Sequence, residues 1–167
     1  MKKKALMTLI LLMLSGCKHL DVIKLVIPGS CATGTPQQEA SLTPEASYNN
    51  MVTCLKANEK RFALNHFAVA GTTTWYDAVV RPVEKNIVRH KDLMKQALSG
   101  LSKSEQNDAW ESFSQMLRNK QSLAEVCSYM EQIAEVRRQT QVFDDIAWNK
   151  AVKGYLHCHS DRVTHFS

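Results

Sequence analysis

Thr43-Pro44-Glu45-Ala46-Ser47-Tyr48-Asn49-Asn50-Met51-Val52-Thr53-Cys54-Leu55 is where the character of the chain changes. Thr43 is a helix N-cap, Pro44 fills the first helical position, and Glu45 puts negative charge in the first turn. Behind them Tyr48, Met51, Val52, Leu55, Phe62, His66 and Val69 recur at three- and four-residue steps. That spacing lays one apolar stripe along an amphipathic helix, expected to end near Gly71.

Four further stripes follow. Tyr76, Val79, Val80, Val83, Ile87, His90, Met94 and Leu98 form a helical stripe ending at Gly100, which either starts at Pro82 or, the favoured reading, starts near Thr74 and kinks at Pro82. Ser102 with Glu105 forms a capping box before Trp110, Phe113, Met116 and Leu117. Ser122 with Glu125 reads as a second box before Leu123, Val126, Cys127, Met130, Ile133 and Ala134. A last helix starts near Asp144, an N-cap whose charge meets the helix dipole, with Trp148, Ala151, Val152 and Tyr155 inward. No period-two alternation appears after Thr43. The expectation is an all-α fold, a compact bundle of about five helices over residues 44–160 with a tail at 161–167.

Working toward the N-terminus, residues 18–43 show no helical period. Val22-Ile23-Lys24-Leu25-Val26-Ile27 is a short β-branched run. Ala32 to Ser41, rich in Gly, Thr, Gln and Pro, reads as a tether, so residues 17–43 form a linking segment.

The first sixteen residues are of another kind. Lys2, Lys3 and Lys4 make a basic cluster, Ala5 to Leu14 carries no ionisable residue, and Ser15 and Gly16 are small. This is the pattern of a secretory signal peptide. A membrane span needs roughly 20 apolar residues, and this run supplies about half. Leu14-Ser15-Gly16-Cys17 resembles the lipobox of bacterial lipoproteins at all four positions. The resemblance implies that a diacylglycerol is attached to the Cys17 thiol, that the chain is cut before Cys17, and that the new amine is acylated. Two or three acyl chains anchor a protein lastingly where one does not. In Gram-negative members an aspartate after the lipidated cysteine favours the inner membrane. Lys18 stands there, so the resemblance implies the periplasmic face of the outer membrane.

The leader also skews the charge. The chain has 21 basic and 16 acidic residues, but residues 1–16 hold three lysines and no acid, which leaves 18 against 16. Basic and acidic residues are interleaved, and nothing points to nucleic acid. Of five cysteines, the lipid takes one. Cys31, Cys54, Cys127 and Cys158 remain, and an oxidising compartment favours disulfides. Four cysteines allow three connectivities. A hairpin turning near residue 140 brings Cys158 within about a turn of the position opposite Cys127, which favours Cys127–Cys158 with Cys31–Cys54. Pairing of Cys54 with Cys127 or Cys158 stays open.

Motifs that carry chemistry are few. His157-Cys158-His159, with His165 nearby, offers metal-ligand types, and His157, His159 and His165 are the weak candidates for a metal site. An oxidised Cys158 cannot ligate, so no metal is expected. Glu59, His66 and His90 can be imagined as an acid–base group, but both histidines lie on apolar stripes, where core histidines are commoner. No Gly-x-Ser-x-Gly elbow, phosphate-binding glycine loop or Cys-x-x-Cys motif is present. Trp75, Trp110 and Trp148 read as core or interface anchors. Met51, Met94, Met116 and Met130 sit on the stripes as core residues.

No cofactor beyond the lipid on Cys17 is expected, and no catalytic residue. An anchor, a tether and a small disulfide-stabilised bundle are what a docking part needs. The expected partners are the membrane, through the anchor, and an envelope protein offering an amphipathic helix or a secretin-like tail. The architecture is similar to that of pilotin lipoproteins of secretion systems, though no motif of that family occurs. Superinfection-exclusion lipoproteins fit the same features. An envelope enzyme or metal-binding lipoprotein using the C-terminal histidines is the alternative.

Overall fold

A computed structural model describes residue 31 and residues 34–81 and 84–158. Within the helix that begins at Glu84, side chains are described from Arg89 onward. Cys17, His159, His165, the signal segment and the tail at 161–167 lie outside the described residues.

Seven α-helices and no strand occur among the described residues. They are α1 (Pro36–Ala40), α2 (Pro44–Lys56), α3 (Lys60–Val80), α4 (Glu84–Leu98), α5 (Lys103–Arg118), α6 (Lys120–Thr140) and α7 (Asp145–Leu156). The fold is all-α, as the periodicity predicts. The boundaries differ in four places, each for a local reason.

The stripe read as one helix from Pro44 to Gly71 is two helices. The chain breaks at Asn58, whose φ is 59°, a left-handed conformation that asparagine tolerates better than most residues. Gly71 is not a terminus but the middle of α3. At the other end, α3 closes at Arg81 with φ −130° and ψ 76°. A proline disfavours the helical region for the residue before it, and Pro82 follows. The expected kinked helix from Thr74 to Gly100 is therefore the end of α3 followed by α4.

The other differences are at caps. α6 begins three residues before the expected box, because the Asn119 side chain accepts from the Ser122 amide at 3.0 Å. Asn119 also ends α5, its own amide donating to Gln115 and Met116 carbonyls. Glu125 is thereby released to pair with Arg61 of α3 at 2.8 Å. Finally, residues 34–41 are not only a tether. Thr35 and Gln38 form a reciprocal capping box, Pro36 sits in the first turn, and the short α1 results. Three predicted caps stand as read: Thr43 accepts from the Ala46 amide, Ser102 and Glu105 bond reciprocally, and Asp144 accepts from the Ala147 amide.

α3 is the axis of the molecule. It packs against α2, α4, α5, α6 and α7. Every residue from His66 to Thr74 is buried, so this helix has no solvent stripe over more than two turns. Small side chains make that possible. Ala68, Ala70 and Gly71 let neighbouring helices approach closely, and a methyl group at Gly71 would fall inside the Tyr155 ring. Reciprocally, Gly154 of α7 lies against the Trp75 ring, 3.3 Å from where its own Cβ would be. The core around this seam includes Tyr48, Met51, Leu64, Met130, Ile133 and Trp148, all essentially without exposure.

Two disulfides close the fold. Cys31–Cys54 joins the segment before α1 to the end of α2, with Cα atoms 4.6 Å apart. Cys127–Cys158 joins α6 to the chain just past α7, with Cα atoms 5.7 Å apart. No described helix is long and apolar enough to cross a membrane.

Candidate functional site

The surface around the α3 C-terminus and the α6–α7 turn is where large apolar side chains face solvent. Among the described residues Trp75, Val79 and Val80 are 42%, 41% and 40% exposed, and Val142 and Ile146 are 100% and 71% exposed. Scattered apolar side chains on a surface are ordinary; a grouping is informative. Both sets border one aromatic stack. Tyr76, between Trp75 and Val79 in the chain, is buried and stacks on Phe143, centroids 5.5 Å apart at 18°. Trp148 packs edge-on to Tyr76 at 5.7 Å. The Asp144 amide donates to the Tyr76 hydroxyl at 3.1 Å. Buried aromatic rings thus lie beside these exposed apolar side chains.

Beneath it lies Arg137 of α6, 5% exposed. Its guanidinium donates to the Thr73 hydroxyl at 3.2 Å and stands 5.3 Å over the Trp148 ring. No carboxylate reaches it at ion-pair distance among the described residues. Burial lowers its pKa, and Asp77 and Tyr76 act in the opposite direction. The turn above is clamped by Arg138, which reaches Asp145 at 2.7 Å and Glu135 at 2.9 Å.

Two polar clusters lie elsewhere in the core. In the first, Tyr48 of α2, His90 of α4 and Tyr155 of α7 meet. The Tyr48 hydroxyl is 2.7 Å from His90 Nδ1, and the His90 ring stands edge-on to Tyr155 at 5.1 Å. Burial lowers the His90 pKa and raises those of both tyrosines. The phenol and the imidazole share one hydrogen bond, and the ring tautomer sets which of the two donates. In the second, Glu39 of α1 meets His66 of α3. Oε2 is 3.2 Å from Nδ1, and the side chains are 1% and 0% exposed.

Glu59, His66 and His90 are not brought together. Glu59 is exposed at the start of α3, His66 belongs to Glu39, and His90 belongs to Tyr48. His157 is exposed, the left-handed cap of α7 with φ 60°, and its neighbour Cys158 is held in a disulfide. Among the described residues no three His, Cys, Asp or Glu side chains are grouped to hold a metal; His159 and His165 lie outside them. Of the tryptophans, Trp148 is core, Trp110 is half-buried against Phe67, and Trp75 is at the surface. Sequence reasoning missed the exposure of Val79 and Val80, which share the stripe of buried Tyr76. It also missed Glu39 altogether, since a lone acid in a polar stretch carries no burial signal.

No family model, no curated protein and no solved structure matches this chain.

Proposed function

We propose that this protein is a lipid-anchored docking module of the bacterial envelope, without enzymatic activity of its own. The anchor is Cys17, read from Leu14-Ser15-Gly16-Cys17, and Lys18 favours the periplasmic face of the outer membrane. The observation that carries the docking role is the exposure of Trp75, Val79, Val80, Val142 and Ile146 beside the stack of buried Tyr76 on Phe143. Aromatic and aliphatic side chains over a preordered base are what a binding hot spot uses. An amphipathic helix, including a secretin-like tail, is a partner chemistry that fits such a surface.

Two measurements test this. Growing cells are fed an alkyne-bearing fatty acid; label should appear on the wild type and vanish in Cys17→Ser. A photoreactive residue is then placed at Val79 or Ile146, with Gln115 of α5 as the control position. The Val79 and Ile146 probes should capture the same envelope protein in near-stoichiometric yield. Capture of the same abundant proteins from all three positions would defeat the docking role, and an unlabelled wild type would defeat the anchor.

A further inference from the structure

The arginines of this bundle are paired in an unexpected order. Arg61, Arg81, Arg89 and Arg138 have exposed or partly exposed side chains, and each holds a carboxylate. Surface pairs of this kind contribute little. Arg137 is buried, at 5% exposure, and among the described residues no carboxylate reaches it at ion-pair distance. The acids around it are engaged elsewhere. Asp77 holds Arg81 at 3.2 Å, Glu135 and Asp145 hold Arg138, and Asp144 caps α7. The Trp148 face, the Thr73 hydroxyl and the C-terminal end of α6 ease the burial of the cation. None of them brings a full negative charge. Two buried N–H donors also lack an acceptor, Arg137 Nε and Trp148 Nε1. They belong to side chains in contact, the guanidinium standing 5.3 Å over the indole.

We propose that the apolar rim over Arg137 receives a partner segment that brings the missing charge: a helix with one aspartate or glutamate inside its apolar face. This rests on the docking reading and adds the chemistry of the partner. A carboxylate carries acceptors only, and its two oxygens match the fork of a guanidinium. Arg137 lies beneath the rim, so the acid has to reach down from a backbone resting on it, which a side chain does. Trp75, Val79 and Val80 of α3 and Val142 and Ile146 near the α6–α7 turn are the exposed apolar side chains beside it. They meet the apolar neighbours of the acid. Their closure over the pair excludes water and strengthens the attraction beneath.

The arrangement selects in two directions. A helix that lacks the acid covers Arg137 and leaves it buried without a counter-charge, which is strongly disfavoured. A small hydrophilic anion such as phosphate gains nothing from the rim. The same reasoning separates a binding group from a structural brace. A buried cation without a partner adds little to stability, and replacing it with an apolar side chain of similar size is often neutral or stabilising. Arg137→Met keeps the length of the side chain and sets a sulfur near the Trp148 ring, a favourable contact.

The test uses the full mature chain with Cys17→Ser, which needs no detergent. The probe is a leucine-faced helical peptide, acetylated and amidated, so that a single glutamate in its leucine face is its only carboxylate. Its twin has glutamine there. NMR follows the Arg137 Nε–H and the Trp148 indole N–H. The glutamate peptide should shift both signals and bind about tenfold or more tightly than its twin, the scale of a hydrogen bond between charged groups. In Arg137→Met the two peptides should bind alike, and the denaturant midpoint should be at or above that of the parent chain. The comparison on the parent chain needs no variant to fold. Asp21, Glu84 and Asp161, whose side chains are not among those described, are neutralised together as the control for an acceptor within the chain itself. The proposal is overturned if the parent chain binds both peptides equally, or if the glutamate preference survives Arg137→Met. It is also overturned if the Arg137→Met midpoint falls well below the parent, or if the two N–H signals move in the triple variant before peptide is added. Equal binding together with specific photocapture at Val79 and Ile146 keeps the docking surface and removes its carboxylate.

Discussion

The α3–α7 seam and the α1 corner hold the same bundle by opposite means. At the seam, glycine meets aromatic ring twice: Tyr155 over Gly71 and Trp75 over Gly154. At the corner, a buried carboxyl meets a buried imidazole, while Ala40 and Cys31 pack against the core. The seam depends on shape, with small residues taken up by rings. The corner depends on a buried polar pair and on the Cys31–Cys54 bond beside it. The contrast separates a permanent, shape-made joint from a polar one.

The largest expected effect is on the permanent side. Replacing Cys127 and Cys158 with alanine opens a 31-residue loop, worth up to about 3.7 kcal/mol by chain entropy. Denaturant unfolding of wild type and variant measures the loss directly. Opening Cys31–Cys54 removes a 23-residue loop, up to about 3.4 kcal/mol by the same relation; a clearly larger loss would tie the corner to the rest of the core.

Gly71→Ala comes next. In an exposed helix this change stabilises by up to about 1 kcal/mol. Here the methyl meets the Tyr155 ring, and the net effect should be destabilising by about 1–3 kcal/mol. Combining it with Tyr155→Leu should recover part of the loss, a coupling that a double-mutant cycle detects. Additive losses would show that the ring shifts without resistance.

His66→Ala should cost less than the usual toll for an orphaned buried charge, about 3–5 kcal/mol. Undocking of α1 would let Glu39 reach water and would cap the loss at the free energy of docking, about 1–2 kcal/mol on the scale of a polar contact. Chemical denaturation at neutral pH gives the figure. A loss at the full value would mean that α1 cannot leave, and the two regions would then be alike.

The smallest effect concerns His90. Its folded pKa lies below the ordinary value of 6.5 because of burial. The folded state then binds fewer protons than the unfolded chain, so this contribution is whole above about pH 6.5 and is lost as pH falls below it. His90 is half-exposed, so the slope is shallow. In His90→Gln the stability–pH curve should flatten slightly between about pH 6.5 and 5 relative to wild type.

What could be read from the chain, and what could not, divides along the same line. Caps were legible at Thr43, Ser102 and Asp144, because a cap is a contact between residues three positions apart. Inward faces were legible where one side of a helix is wet, as for Val126, Met130 and Ile133. Gly71 was misread as a stop because its purpose is set by Tyr155, far along the chain. Asn119 and Ser122 are both competent caps, and Glu125 chose Arg61 over the box. The burial of Glu39 depends on His66 across a turn, a helix and a disulfide, none of which leaves a local trace. The apolar rim was half legible: Trp75 reads as an anchor, but Val79 and Val80 look like core until α3 is seen to run past its neighbours.

The Cys31–Cys54 bond has a mechanical consequence. A pull applied to the chain ahead of Cys31 crosses the sulfur bridge and enters the body of the domain at Cys54. Residues 32–53 form a slack side-branch to that load path. While the bridge is oxidised, α1 carries no tension, however hard the chain ahead of Cys31 is tugged; once it is reduced, the same tug falls on Glu39 first.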